Sequence, residues 1–177
     1  PVSFEVFADD FPEMERQARK IATWGSNVNV KIPITTTTGE SAAPLIEALS
    51  KDGIVLNITA IMTKDQVSTV AKALAPETPA IVSVFAGRIA DTGVDPVPFM
   101  ADCLALLSGR PAAELLWASP RELLNVFQAD SVGCHIITAT NDILKKLSLV
   151  GKDLTEYSRE TVSMFRTDAV AAGFQIA

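Results

Sequence analysis

Every second residue of Asn27–Val28–Asn29–Val30–Lys31–Ile32 is polar. Side chains alternate across a β-strand, so Asn27, Asn29 and Lys31 share one face and the valines and isoleucine the other. The same parity recurs in Ser3 and Glu5 against Val2, Phe4 and Val6, in Asn57 and Thr59 against Leu56, Ile58 and Ala60, and in Ser83 and Phe85 against Val82 and Val84. Strands of a doubly wound parallel sheet are covered on both faces and read as continuous apolar runs. A parallel strand with one apolar face toward helices and one polar face is instead what a barrel strand shows where its inner layer meets a site. The polar residues also fall in the later half of each run, at the carboxyl end where (β/α) barrels hold their chemistry.

Six β-branched runs carry this pattern: Val2–Phe7, Asn27–Ile34, Ile54–Ile61, Ala80–Gly87, Glu114–Ser119 and Cys134–Thr140. Segments of helical periodicity separate them, which is the alternation of βαβ units in a parallel sheet. Asp10 and Pro12 open a helix to Trp24, Thr63 caps one to Ala75, Asn141 opens a stretch to Leu149, and Glu156–Ala172 reads as a terminal helix. No linker, low-complexity tract or charge block divides residues 1–177, so a single domain is expected. The fold class is α/β: a (β/α)8 TIM barrel of which the chain carries the last six βα units plus a C-terminal helix. The two leading units, about 50 residues, are expected to be missing from the front. An open six-stranded sheet is the competing architecture.

Composition narrows the function classes. A net charge of −6 argues against nucleic acid as a partner, because phosphate backbones need a basic footprint. The apolar runs are short and broken by Lys, Asp or Pro, below the roughly 20 residues of a membrane-spanning helix, so no membrane partner is expected. Cys103 and Cys134 are the only cysteines and lack CxxC or Cys/His spacing, which favours buried free thiols. A soluble protein of the reducing cytoplasm fits these features.

Lys31 is the most informative single residue. An ammonium on the inner face of a buried strand is disfavoured by desolvation, which frees the amine to attack a carbonyl, and Schiff-base lysines arise this way. A strand-end lysine that reaches solvent is the competing reading. Glu5, on the polar face of the preceding strand, can move protons through a water to a carbinolamine at Lys31 or simply form an ion pair with it. Asn57 and Thr59 offer an amide and a hydroxyl on one face, suited to a substrate hydroxyl and a water. Arg88 and Arg121 follow strand exits, and with Ser119 they could clamp an oxyanion, because the guanidinium fork matches it bidentately. Surface salt bridges are the alternative for either arginine. His135 lies beside Ile136 and Ile137, which points to a core or helix-facing role without a triad or metal site. Thr35–Thr38 before Gly39 reads as a loop and helix start and lacks the P-loop pattern. Trp117 is expected to pack in the inner layer.

Four segments, Asn29–Val30–Lys31–Ile32–Pro33–Ile34–Thr35, Leu56–Asn57–Ile58–Thr59–Ala60, Ser83–Val84–Phe85–Ala86–Gly87–Arg88–Ile89 and Ala118–Ser119–Pro120–Arg121, resemble the transaldolase family in its order and spacing, including its small fructose-6-phosphate-aldolase-like branch. The resemblance implies that Lys31 is the Schiff-base lysine, that Glu5 and Thr59 position the catalytic water, and that Asn57 binds substrate hydroxyls. It implies further that Ser119, Arg121 and Arg88 bind the phosphate and that Ser83, with Phe85, completes the substrate pocket. No metal or organic cofactor is implied. The activity implied is transfer of a dihydroxyacetone unit between sugar phosphates, as in the pentose phosphate pathway. Glu5, Phe85 and Arg121 resemble the transferase branch, where the aldolase branch has Gln, Tyr and Lys. Free aldolase activity, transfer from a sulfonated sugar, and noncatalytic binding of sugar phosphates are the alternatives. The family also has a catalytic Asp on its first strand and a Thr-Asn-Pro motif on its second, and the chain has neither, so a leading segment that supplies them is expected. Small members of the family form rings, which implies a homo-oligomer, with the helix ending at Gly173–Phe174 as a contact.

Overall fold

A computed structural model describes residues 1–173, 175 and 176. Phe174, named above as an assembly contact, lies outside the described residues. The chain divides into two compact units, residues 1–140 and 141–177.

The first unit alternates strands and helices. The strands are β1 (Val2–Glu5), β2 (Val28–Pro33), β3 (Leu56–Ile61), β4 (Ala80–Val84), β5 (Ala113–Trp117) and β6 (Ile136–Ile137). The helices between them are α1 (Phe11–Ala22), α2 (Ala43–Lys51), α3 (Lys64–Ala73), α4 (Ala86–Asp91), α5 (Pro96–Leu106) and α6 (Leu124–Val132). All neighbouring strands pair in parallel in the order β1-β2-β3-β4-β5-β6. A doubly wound sheet needs a reversal in strand order to place helices on both faces. Crossovers of one hand along a sequential order keep every helix on the same face.

The core confirms that arrangement. Met14, Ala18 and Ile21 of α1, Ile46 and Leu49 of α2, Val67 and Val70 of α3, and Met100 and Cys103 of α5 belong to one buried cluster with Val30, Ile32, Leu56, Ile58, Val82, Val84 and Leu115. Full burial of each such aliphatic side chain contributes roughly 1.5–3 kcal/mol. The opposite face is lined from β1 to β6 by a single cavity, so the sheet curls into a partial barrel of six parallel strands.

Local chemistry sets the helix starts. The Asp10 carboxylate accepts from Glu13 N–H at 3.0 Å, and Pro12 occupies the first turn, where its missing N–H costs nothing. Thr63 and Gln66 form a reciprocal capping box at α3. Asn141 opens α7 (Asn141–Lys145), followed by a 3-10 turn at Lys146–Leu149 and by α8 (Leu154–Ala171), capped by Asp153. These three elements make up the second unit. Among the described residues no helix is long and apolar enough to cross a membrane.

Three expectations need correction. Ala86 and Gly87 continue no strand: β4 stops at Val84 and they begin α4. Trp117 does not pack in the inner layer but belongs to the helix-facing core, because Leu116 and Ala118 take the inward positions on either side of it. Its indole N–H is buried without a partner among the described residues. His135 is exposed, which removes the core reading and leaves the helix-facing one, since it shares the parity of Ile137; before β6 its Nδ1 accepts the Leu115 N–H at 3.0 Å while its backbone N–H donates to Leu115 O. It thereby extends the ladder of an edge strand only two residues long.

Candidate functional site

The polar half of the cavity wall comes from the parity already visible in the sequence. Ser3, Asn29, Lys31, Asn57, Thr59 and Ser83 all line it. Its other half is apolar: Ile81, Leu116 and Ala118 form an inner-face cluster with Phe85 and Ile136 packed against it. The cavity holds about 470 Å3, within the range of small-molecule sites, and pairs an apolar wall with a few convergent polar groups.

Register brings the candidate lysine and carboxylate together. Glu5 of β1 stands opposite Lys31 of β2, and Lys31 opposite Asn57 of β3. Lys31 Nζ lies 3.0 Å from Glu5 Oε2, with the two side chains 30% and 45% exposed. Lys31 is thus partly desolvated at the cavity wall, keeps contact with solvent and has a carboxylate beside it. Glu5 borders a second, smaller depression formed with α1 rather than the main cavity wall.

A hydrogen-bond relay crosses the inner face. Ser83 Oγ donates to Asn57 Oδ1 at 2.7 Å, and Asn57 Nδ2 donates to Ser3 Oγ at 2.9 Å. Both ends of the Asn57 amide are thus assigned by protein partners, which fixes its orientation. Ser3 and Asn57 sit two strands apart, about 9.6 Å on a flat sheet. Inward curl lets two short side chains meet across β2. Ser3 and Asn29 were visible on the polar face in the sequence but were given no role there.

Thr59 is held differently. The β3–β4 register shifts between Ile58 and Ile61, and Ala60 adopts φ 62°. This bulge breaks the expected alternation: Ile61, not Ala60, takes the helix-facing place opposite Val84. Thr59 remains on the cavity side, 2% exposed, and its hydroxyl has no partner among the described residues. An unsatisfied buried hydroxyl costs about 1–3 kcal/mol. Such a group at a cavity wall is the place for a ligand or a bound water.

The proposed anion clamp is partly assembled. Ser119, at φ 56°, lines the cavity, whereas Arg88 and Arg121 do not. The Arg88 guanidinium stacks 5.5 Å over the Phe85 ring. Arg121 forms a two-pronged ion pair with Asp91, through Nε to Oδ1 at 3.2 Å and through a terminal nitrogen to Oδ2. Asn125 Oδ1 accepts both the Arg121 N–H at 2.7 Å and the Glu122 N–H at 3.1 Å, which sets the loop after β5. That loop rests on Gly87, whose N–H donates to Ala118 O at 3.2 Å. Asp91, Asn125 and Gly87 had no assigned role from the sequence, and only Gly87, inside a quoted segment, stood near one.

The cysteines are free, Cys103 fully buried and Cys134 partly so. Burial pushes the Cys103 thiol up to about 12 and the Cys134 thiol up to about 11, so both stay protonated and poorly nucleophilic near neutrality.

The family model described as Transaldolase/Fructose-6-phosphate aldolase matches residues 1–176. A probable transaldolase of Thermoanaerobacter sp. is 32% identical over 99% of this chain and 76% of its own length. One of Brucella anthropi is 32% identical over 100% of this chain and 76% of its own. One of Methanococcus maripaludis is 34% identical over 83% of this chain and 65% of its own. A solved structure described as "Native KDPGal structure" overlaps 98% of this chain at 12% identity with a TM-score of 0.30, too loosely to bear on the fold. The extent of the family match and the identity to these relatives establish that the chain belongs to the transaldolase/fructose-6-phosphate aldolase family and is of aldolase/transaldolase type.

Proposed function

We propose that this protein is a class I transaldolase that carries a dihydroxyacetone unit from one sugar phosphate to another on Lys31. The observation that carries the reading is Lys31 at the cavity wall, 3.0 Å from Glu5 and in register with Asn57. The Glu5 carboxylate accepts the ammonium proton, and the free amine attacks the ketose C2 carbonyl to give a carbinolamine. A water held by Glu5 and the Thr59 hydroxyl relays the proton that lets the carbinolamine lose water and become an iminium. Cleavage of the C3–C4 bond sends its electron pair into the iminium, leaving an enamine on Lys31, while the C4 hydroxyl loses its proton and departs as the aldehyde of an aldose phosphate. The enamine then adds to the carbonyl of a second aldose phosphate, and hydrolysis returns Lys31.

Asn57 and Ser83 bind the ketose hydroxyls. Ser119, Arg121 and Arg88 hold the phosphate, since a guanidinium fork meets two phosphate oxygens at once. Phe85 and the inner-face apolar cluster exclude water from the enamine, which favours transfer over release. The identities of Glu5, Phe85 and Arg121 also support transfer, by resemblance to the transferase branch.

Intact mass after borohydride reduction with fructose 6-phosphate, on the wild type and on Lys31→Arg, tests this. The expected result is a dihydroxyacetone-sized adduct on the wild type alone. An adduct of equal yield on Lys31→Arg, or none on the wild type, refutes the assignment. Adding an acceptor aldose phosphate separates transfer from free aldolase activity, because a transferase forms a new ketose phosphate with little free dihydroxyacetone.

A further inference from the structure

Asp91 lies at the end of α4, outside every role assigned above, yet among the described residues it is the one hydrogen-bond and ion-pair partner of the Arg121 side chain. We propose that Asp91 is a positioning residue for the anion clamp, orienting the Arg121 fork so that its outer edge faces the phosphate of the substrate. The inference rests on the reading that Arg121 binds phosphate.

A guanidinium carries five N–H donors in one plane. Asp91 takes the Nε proton and one proton of a terminal nitrogen. Of the remaining three, one on each terminal nitrogen points outward along the end of the fork, an edge that can still grip an oxyanion bidentately. Asp91 and phosphate therefore bind Arg121 together instead of competing for the same protons.

The frame around the pair is stiff. Arg88 and Asp91 are three residues apart on α4 and so share one face of it. The Arg121 backbone is pinned through Asn125, and the Ser119 carbonyl lies so close to Gly87 that a Cβ there would stand 1.5 Å from it. The base of the Arg121 side chain is fixed by the loop and its head by Asp91. Both partners are 51% exposed, so the pair adds little to stability. Its effect is to remove rotamer freedom that phosphate binding would otherwise have to remove.

The test compares the concentrations of fructose 6-phosphate and of unphosphorylated fructose that give half-maximal reductive trapping on Lys31. The ratio of the two measures what the phosphate contributes to binding. In Asp91→Ala that ratio is expected to shrink by about 5–10-fold. In Asp91→Asn, which keeps an acceptor oxygen but not the charge, it is expected to shrink less. A merely structural role would weaken both sugars alike and leave the ratio unmoved. A ratio within twofold of wild type in both variants, or one that grows, overturns the proposal, the second outcome meaning that Asp91 competes with phosphate. If Asp91→Ala fails to fold, Asp91→Asn alone decides, by the same ratio. Absence of any adduct on the wild type removes the Lys31 reading itself, and this inference with it, an outcome distinct from trapping with an unchanged ratio.

Discussion

Gly87 joins the two halves of the proposed clamp, and Gly87→Ala isolates that contact. The backbone at this position is ordinary helix in the first turn of α4, where alanine is preferred over glycine by about 1 kcal/mol. Sterics oppose that preference. A Cβ would lie 1.5 Å from Ser119 O and 2.6 Å from Ser119 C, both backbone atoms that no rotamer change can move aside. The loop after β5 must retreat by about 1.5 Å before the contact becomes tolerable, which stretches the Gly87 N–H to Ala118 O bond and disturbs the anchorage of Arg121. Overpacking of this kind costs typically about 1–3 kcal/mol, and rigid partners put it at the upper end. The net is a loss of about 2 kcal/mol, or a Tm about 4–8 °C lower for a chain of this size. Gly109→Ala, whose Cβ meets nothing within 4 Å, is the control and should stay within about 0.5 kcal/mol of wild type. Thermal melts by circular dichroism measure both. A Gly87→Ala Tm equal to or above wild type refutes the reasoning, because helix propensity would then have outweighed the clash.

Thr59→Val removes a buried hydroxyl that has no partner, so its Tm is expected to rise by about 2–4 °C while trapping with fructose 6-phosphate slows at least about tenfold; a fall in both would mean that the hydroxyl is structural. Thr63→Ala dismantles the α3 capping box and is expected to lower Tm by about 2–4 °C, the effect of about 1 kcal/mol, without changing trapping. Burial raises both thiols above the ordinary value of 9.0: below that pH both states keep the proton, whereas between about 9 and about 11 to 12 only the unfolded chain releases it. Stability is therefore expected to fall as pH rises through that window, and urea midpoints at pH 8 and pH 10 should drop less in the Cys103→Ala, Cys134→Ala double variant.

The Lys31–Glu5 pair could be read from the sequence because consecutive parallel strands in register need only matching parity, and residues 5 and 31 share it. Parity failed where it depends on uninterrupted register. Nothing in Thr59–Ala60–Ile61 announces a bulge, since alanine at φ 62° is an energetic exception that the surrounding sheet enforces. It failed again for the apolar inner face of β5 and β6, because Leu116 and Ile136 sit in runs that are apolar at both parities and so carry no sign of which side faces the cavity. Trp117 was misplaced for that reason. Contacts made by docking were out of reach altogether: Asp91 and Arg121 are 30 residues apart on different elements, and only the seating of a loop on Gly87 brings them together.

The charges show why the legible part was the chemical part. Of the three cations assigned to the site by strand parity and strand exits, Lys31, Arg88 and Arg121, two, Lys31 and Arg121, receive a carboxylate from a neighbouring element, and in each pair that carboxylate is about half exposed. Exposed pairs are worth about 0–1 kcal/mol. A buried partner would have fixed Lys31 as an ammonium and made its proton expensive to remove. In the function proposed above, an exposed one is to hold the amine in place, accept its proton, and leave the cavity wall free for the substrate. The sequence marks such a site because the reaction proposed for it needs a lysine, a carboxylate and a hydroxyl on one face, whereas the groups that would tune it need only be near, and many sequences can bring them there.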